Sequence, residues 1–125
     1  MNKHLTLVLA TALGSALAGC ALSPAQLRVQ GERAEFSSAQ APRAVAHCIT
    51  RNADRFKTVI GVNAPLPWAI RDDADYEVLV SNPWHGGYLL VAEVRQREGG
   101  SRVVTWLTPE PPTPDTRQQL IGGCE

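Results

Sequence analysis

The chain has no excess of charge of either sign: 12 Lys and Arg stand against 12 Asp and Glu in 125 residues. A protein that neutralises phosphates needs a basic surplus, so nucleic-acid binding has no electrostatic footprint here. Long apolar runs are missing as well. The uncharged stretch Leu5 to Ala16, rich in Leu and Ala, falls well short of the roughly 20 residues that cross a bilayer as a helix. Histidines number three, one of them His4, and neither CxxC nor HxxxH spacing occurs, so no metal site is expected. There is no P-loop, no GxGxxG and no GxSxG elbow. His85-Gly86-Gly87 is similar to the backbone oxyanion segment of some esterases, but with no elbow to supply a nucleophile its glycines are read as part of a hairpin. No convergent carboxylate pair can be placed. The chain is read as non-catalytic and without a cofactor.

What is present begins at the amino terminus. Lys3 and His4 precede the Leu5 to Ala16 run, and the run ends in Leu17-Ala18-Gly19-Cys20. A basic n-region followed by an apolar segment of this length is the layout of a secretion signal. An aliphatic residue, two small residues and a cysteine resemble the lipobox of bacterial lipoproteins, and the overall pattern resembles the short lipoproteins of Gram-negative envelopes. That resemblance implies a signal peptide over residues 1–19, with Leu17, Ala18 and Gly19 recognised by the lipoprotein signal peptidase. It also implies a diacylglyceryl group on the Cys20 thiol and an acylated (palmitate-type) amino terminus. One acyl chain holds a protein only marginally, at about 0.8 kcal/mol per buried methylene, whereas two or three on one residue hold it stably. The membrane is therefore an expected partner through lipid on Cys20. Because Ala21 rather than Asp follows the cysteine, the resemblance implies an outer-membrane anchor facing the periplasm. Cutting before Cys20 removes Lys3 alone among the charged side chains. The remainder is close to neutral.

The cysteine count fits the same compartment. The chain has three; if Cys20 carries lipid, Cys48 and Cys124 are left as a pair in an oxidising environment and are expected to form a disulfide. It would close a loop of about 77 residues, for which chain entropy gives on the order of 4–5 kcal/mol as an upper figure. A domain this small is marginal by its core alone. The staple is comparable to its whole expected stability.

Residues 20–41 show no sustained period and are read as a flexible tether, with Gly31 weakening a short helix around Arg28 to Phe36. The small α+β domain is expected over residues 42–125. From Pro42, suited to a first helical position, Val45, Cys48, Ile49, Asn52 and Phe56 recur at steps of three and four, which predicts an amphipathic helix of about 15 residues with Cys48 on its buried face. His47, next to that face, is read as a boundary histidine held by a neighbour rather than as a general base. Thr58-Val59-Ile60 is expected as a short edge strand, and Trp68 and Ile70 as a cover on the core. The acidic run Asp72, Asp73, Asp75 and Glu77 lacks the spacing and mid-loop glycine of a calcium loop and is read as a solvated turn.

Three strands follow: Tyr76 to Ser81, Tyr88 to Arg97 and Arg102 to Thr108, separated by Gly-containing links short enough for hairpins. They predict an antiparallel meander. Alternation places Tyr76, Val78 and Val80, and Leu90, Ala92 and Val94, on the face that takes the helix, with the other face wet. For the third strand, Val103-Thr105-Leu107 and Val104-Trp106 are equally credible inward sets. Pro109 to Pro114 is read as a stiff polyproline connector, Thr113 as a cap, and Pro114 to Ile121 as a short helix that returns Cys124 to the first. The expected fold is thus one amphipathic helix on a three-stranded antiparallel meander, with a short C-terminal helical turn closed by a disulfide. The expected role is structural or a partnership with another envelope protein. The alternative is a small-ligand or glycan site built from exposed aromatics, with Trp68, Trp84 and Trp106 as the candidate residues.

Overall fold

The computed structural model describes residues 22–59, 74–83 and 86–125. In chain order the elements are α1 (Pro24–Gln30), β1 (Glu32–Ser38), α2 (Pro42–Val59), β2 (Asp75–Ser81), β3 (Tyr88–Arg97), β4 (Gly100–Leu107) and α3 (Thr116–Ile121). The class is α+β, as the sequence predicts. The sheet has four strands rather than three, all antiparallel, in the order β1-β4-β3-β2.

The extra strand comes from the segment expected as tether. Ser23-Pro24-Ala25-Gln26 closes a capping box: the Ser23 hydroxyl accepts from the Gln26 amide while the Gln26 side chain accepts from the Ser23 amide, with Pro24 at the first helical position. Seven residues of helix are too few to persist alone. Leu27 holds them, fully buried against Leu79 and Val91, a burial worth about 1.5–3 kcal/mol. Gly31 does not weaken a longer helix; it makes the corner. A Cβ there would lie 2.5 Å from the Leu27 carbonyl and 2.8 Å from that of Leu107, so only glycine lets the chain pass from α1 into β1 this close to β4. β1 then pairs with β4 from Glu32↔Leu107 to Ser38↔Ser101.

α2 lies across one face of the sheet. Val45, Ala46, Cys48, Ile49, Ala53 and Phe56 pack with Tyr76, Val78, Val80, Leu89, Leu90, Ala92, Val94, Val103 and Leu107 in the main core. The inward sets of β2 and β3 are those expected. For β4 the ambiguity resolves to Ser101, Val103, Thr105 and Leu107, which are buried. α2 extends to Val59, so Thr58 and Val59 continue the helix instead of starting an edge strand; Ile60, Trp68, Ile70, Asp72 and Asp73 lie outside the described residues. The outer sheet face is not uniformly wet, because α1 covers Leu79 and Val91. In the β3–β4 link Gly99 and Gly100 take positive φ, as do Gly86 and Gly87 ahead of β3.

The carboxy-terminal turn begins at Thr116, not Pro114. The Thr116 hydroxyl donates to the Thr113 carbonyl and accepts from the Thr113 amide, which holds 113–116 as a separate turn ahead of the helix. Leu120, Ile121 and Cys124 return to the main core, and Cys48 is joined to Cys124 with a Cα–Cα distance of 5.7 Å. Asn52, one turn beyond Cys48, donates 3.0 Å bonds to the carbonyls of Leu120 and Gly122. It satisfies groups that the end of a helix leaves without partners.

Two substitutions separate these supports. Asn52→Ala strands two acceptors beside the disulfide and is expected to lower unfolding free energy by about 1–3 kcal/mol. Leu27→Ala, emptying the α1 contact, is expected to cost about 2–4 kcal/mol. Urea unfolding followed by circular dichroism measures both; a loss under 0.5 kcal/mol for Leu27→Ala would show that α1 is not part of the cooperative unit.

Candidate functional site

Of the residues singled out by sequence, Leu17, Ala18, Gly19, Cys20, Trp68, Trp84 and His85 lie outside the described residues. Cys48 and Cys124 are brought together as the disulfide. Trp106 sits on the outer face of β4, half-buried among Leu22, Leu27, Leu79, Tyr88 and Val91. The Arg28 guanidinium lies 5.5 Å from its ring centroid, close enough for a cation–π contact.

The outer face is organised by cross-strand rows. Arg33, Trp106, Val91 and Leu79 form one row, Glu35, Val104, Glu93 and Glu77 the next, and Ser37, Arg102, Arg95 and Asp75 the third. In the first row α1 covers Leu79 and Val91, while Arg33 stays exposed and Trp106 half-buried. In the others, every glutamate has a guanidinium within reach. Arg28 reaches down from α1 to Glu77 at 2.5 Å and to Glu93 at 3.0 Å; Arg95 lies 3.7 Å from Glu93, and Glu35 takes both Arg33 at 3.0 Å and Arg102 at 2.5 Å. Arg33, Glu93, Arg95, Arg102, Val104 and Trp106 line a shallow depression of about 310 Å³.

Glu35 is held in its charged form. A general base or acid needs a pKa near the working pH, and the Glu35 carboxyl is driven the other way, from 4.5 to about 2, chiefly by the hydrogen bond from Arg102 and then by that from Arg33. Asp115 is likewise lowered, first by its bond from the Gln119 side chain. Arg117, on α3, is lowered by burial, with Glu32 opposing; its guanidinium donates to the Thr105 hydroxyl and the Glu32 carbonyl, tying α3 to β4 and β1. Among the described residues no group of three His, Cys, Asp or Glu could hold a metal ion. What the outer face provides is a lattice of charges with half an aromatic ring at its edge.

The opposite layer carries a feature the sequence reading passed over. Arg43, His47, Arg51 and Arg55 are all exposed on α2 and stand four residues apart. That spacing sets them in one row, about 6 Å of rise between neighbours. Arg55 donates to the Asn52 side chain at 2.7 Å, and Asp54 is the exposed acid beside the row. Among the described residues none of the three arginines forms an ion pair with a carboxylate. The His47 ring is exposed, not held at the edge of the core, because its position falls on the solvent side of the Val45–Cys48–Ile49 stripe. The i, i+4, i+8, i+12 spacing was the signal that could have found this row.

Glu35 supplies a pH test. Its folded pKa lies below the ordinary value, so the stabilisation from its arginines is complete above pH 4.5 and is lost as pH falls toward 2. In Arg102→Ala the Glu35 carboxyl resonance is expected to titrate appreciably closer to 4.5 than in the wild type, read by carbon-13 NMR. An unchanged midpoint would show that the pair does not form in solution.

No protein-family model, no curated protein and no solved structure matches this chain.

Proposed function

We propose that the protein is a lipid-anchored, non-catalytic lipoprotein of a Gram-negative cell envelope, facing the periplasm from the outer membrane and serving a structural or protein-interaction role. Leu17, Ala18 and Gly19 are the signal-peptidase recognition residues and Cys20 the lipidated first residue of the mature chain. The observation that carries the reading is the cysteine inventory. Three cysteines are present, Cys48 and Cys124 are bonded to each other, and Cys20 is left over within a lipobox. A disulfide suits an oxidising compartment, and an odd thiol in an exported chain is accounted for if it carries lipid. The interaction role is supported by the exposed row on α2 in which Arg43, Arg51 and Arg55 are cationic and His47 stands between the first two, which fits an acidic partner surface.

A second reading, a small-ligand or glycan-binding lipoprotein, is favoured by one observation. Trp106 borders the outer-face depression beside Arg33, Arg95 and Arg102, a ring and guanidinium groups that suit stacking and hydrogen bonding. Much of the ring already packs on the small cluster beneath α1, which leaves the interaction role ahead.

Intact mass of the membrane-extracted protein tests the anchor. The expected mass starts at Cys20, is heavier by a diacylglyceryl and an acyl group, and gains about two protons on reduction of the disulfide. Cys20→Ala is expected to release the chain from the membrane fraction. An unlipidated wild-type chain would sink the proposal.

A further inference from the structure

The described part of the domain starts almost at the proposed anchor. Leu22 is already built in: its carbonyl accepts from the Tyr88 amide at 3.1 Å, and its side chain packs on the cluster of Leu27, Leu79 and Val91 with Tyr88 and Trp106. Cys20 is two residues upstream. Two residues of chain span at most about 7 Å whatever their conformation, no more than about the thickness of one headgroup layer, which takes up roughly 5–8 Å on each side of the hydrocarbon. An anchor on Cys20 therefore leaves no tether. The body of the domain around Leu22 must meet the headgroups.

The helix next to that point has a surface suited to the contact. α1 begins at Pro24, and its solvent side is formed by Ala25, Gln26, Val29 and Gln30, none of them charged. Its one charged residue, Arg28, is turned to the sheet by Glu77 and Glu93. Val29, 85% exposed, is the large apolar side chain that the described residues leave in solvent. The cationic row of α2 lies in the layer on the other side of the sheet, away from α1.

Building on the lipoprotein reading above, we infer that the uncharged face of α1, Ala25, Gln26, Val29 and Gln30, rests on the phospholipid headgroups, held there by an anchor with no slack. The partner of this surface is the bilayer itself. The α2 row is thereby turned away from the bilayer and presented to the periplasm.

Hydrogen exchange of the full lipidated protein in phosphatidylethanolamine–phosphatidylglycerol vesicles tests this, read on the peptide covering residues 22–30. A lipidated variant with a Gly-Ser insert of about 15 residues after Ala21 is the comparison, and intact mass verifies the lipid on both. The expected result is several-fold slower exchange in the wild type, lost in the insert variant and reduced in Val29→Asp. Equal exchange in two proteins of verified lipidation would overturn the orientation while leaving the anchor standing. An unlipidated mass would overturn the lipoprotein reading and this inference with it. Protection that persists in detergent without vesicles and grows with protein concentration would assign the face to a second copy of the chain, and would equally overturn the inference.

Discussion

The Cys48–Cys124 bond, with Asn52 beside it, is the constraint on which the closure of the fold depends. α3 has six residues and cannot hold itself in helical form by local bonds alone. The disulfide fixes its far end to α2, and the Asn52 amide takes the carbonyls of Leu120 and Gly122. With the end of the chain pinned, Leu120 and Ile121 complete the core and Arg117 is delivered to the edge of β4 and β1. One covalent bond thus orders a helix, a corner of the core and a polar clamp.

The other end of the domain is held by different means. α1 has a small apolar contact, Leu27 on Leu79 and Val91, and one side chain, Arg28, that spans two carboxylates on neighbouring strands. Isolated surface ion pairs contribute little. Here the guanidinium is partly sheltered, faces Trp106 and bridges β2 to β3, so it acts as a strut that orients the helix on the sheet. The same strut removes the only charge α1 could have shown to solvent. The two helical layers therefore end up chemically different: neutral outside α1, cationic outside α2.

The helix–meander part of the fold was legible because its signals are redundant. Val45, Ile49 and Phe56 repeat at helical steps, and Val78, Val80, Leu90, Ala92 and Val94 alternate at strand steps, so patterning and propensity agree. β1 was not legible, since Glu-Arg-Ala-Glu-Phe-Ser-Ser offers one large apolar residue, Phe36, on the side that meets the core, beside Glu32, Ala34 and Ser38, and Arg33, Glu35 and Ser37 on the other, the make-up of an edge strand that discourages further pairing. The capping box of α1 was written in Ser23 to Gln26 but had no long apolar stripe after it to make it count. Trp106 was undecidable for a different reason: both faces of β4 present credible apolar sets, and Thr105 looks no better inside than Val104. Arg117, arriving from α3, supplies the partner that lets Thr105 be buried.

By itself the sequence determined the α2 stripe and the three alternating strands and pointed to Cys48 with Cys124 as the bonded pair, because each is a matter of local chemistry, of count or of period. Tertiary structure alone decided that β1 joins the sheet beside β4, that Leu22 already belongs to the domain, and that Trp106 faces outward. Those outcomes rest on contacts between residues far apart in the chain, Phe36 with Val103, Leu22 with Tyr88, Arg28 with Glu77. A segment too weak to fold by its own propensity takes its structure from the surface it lands on.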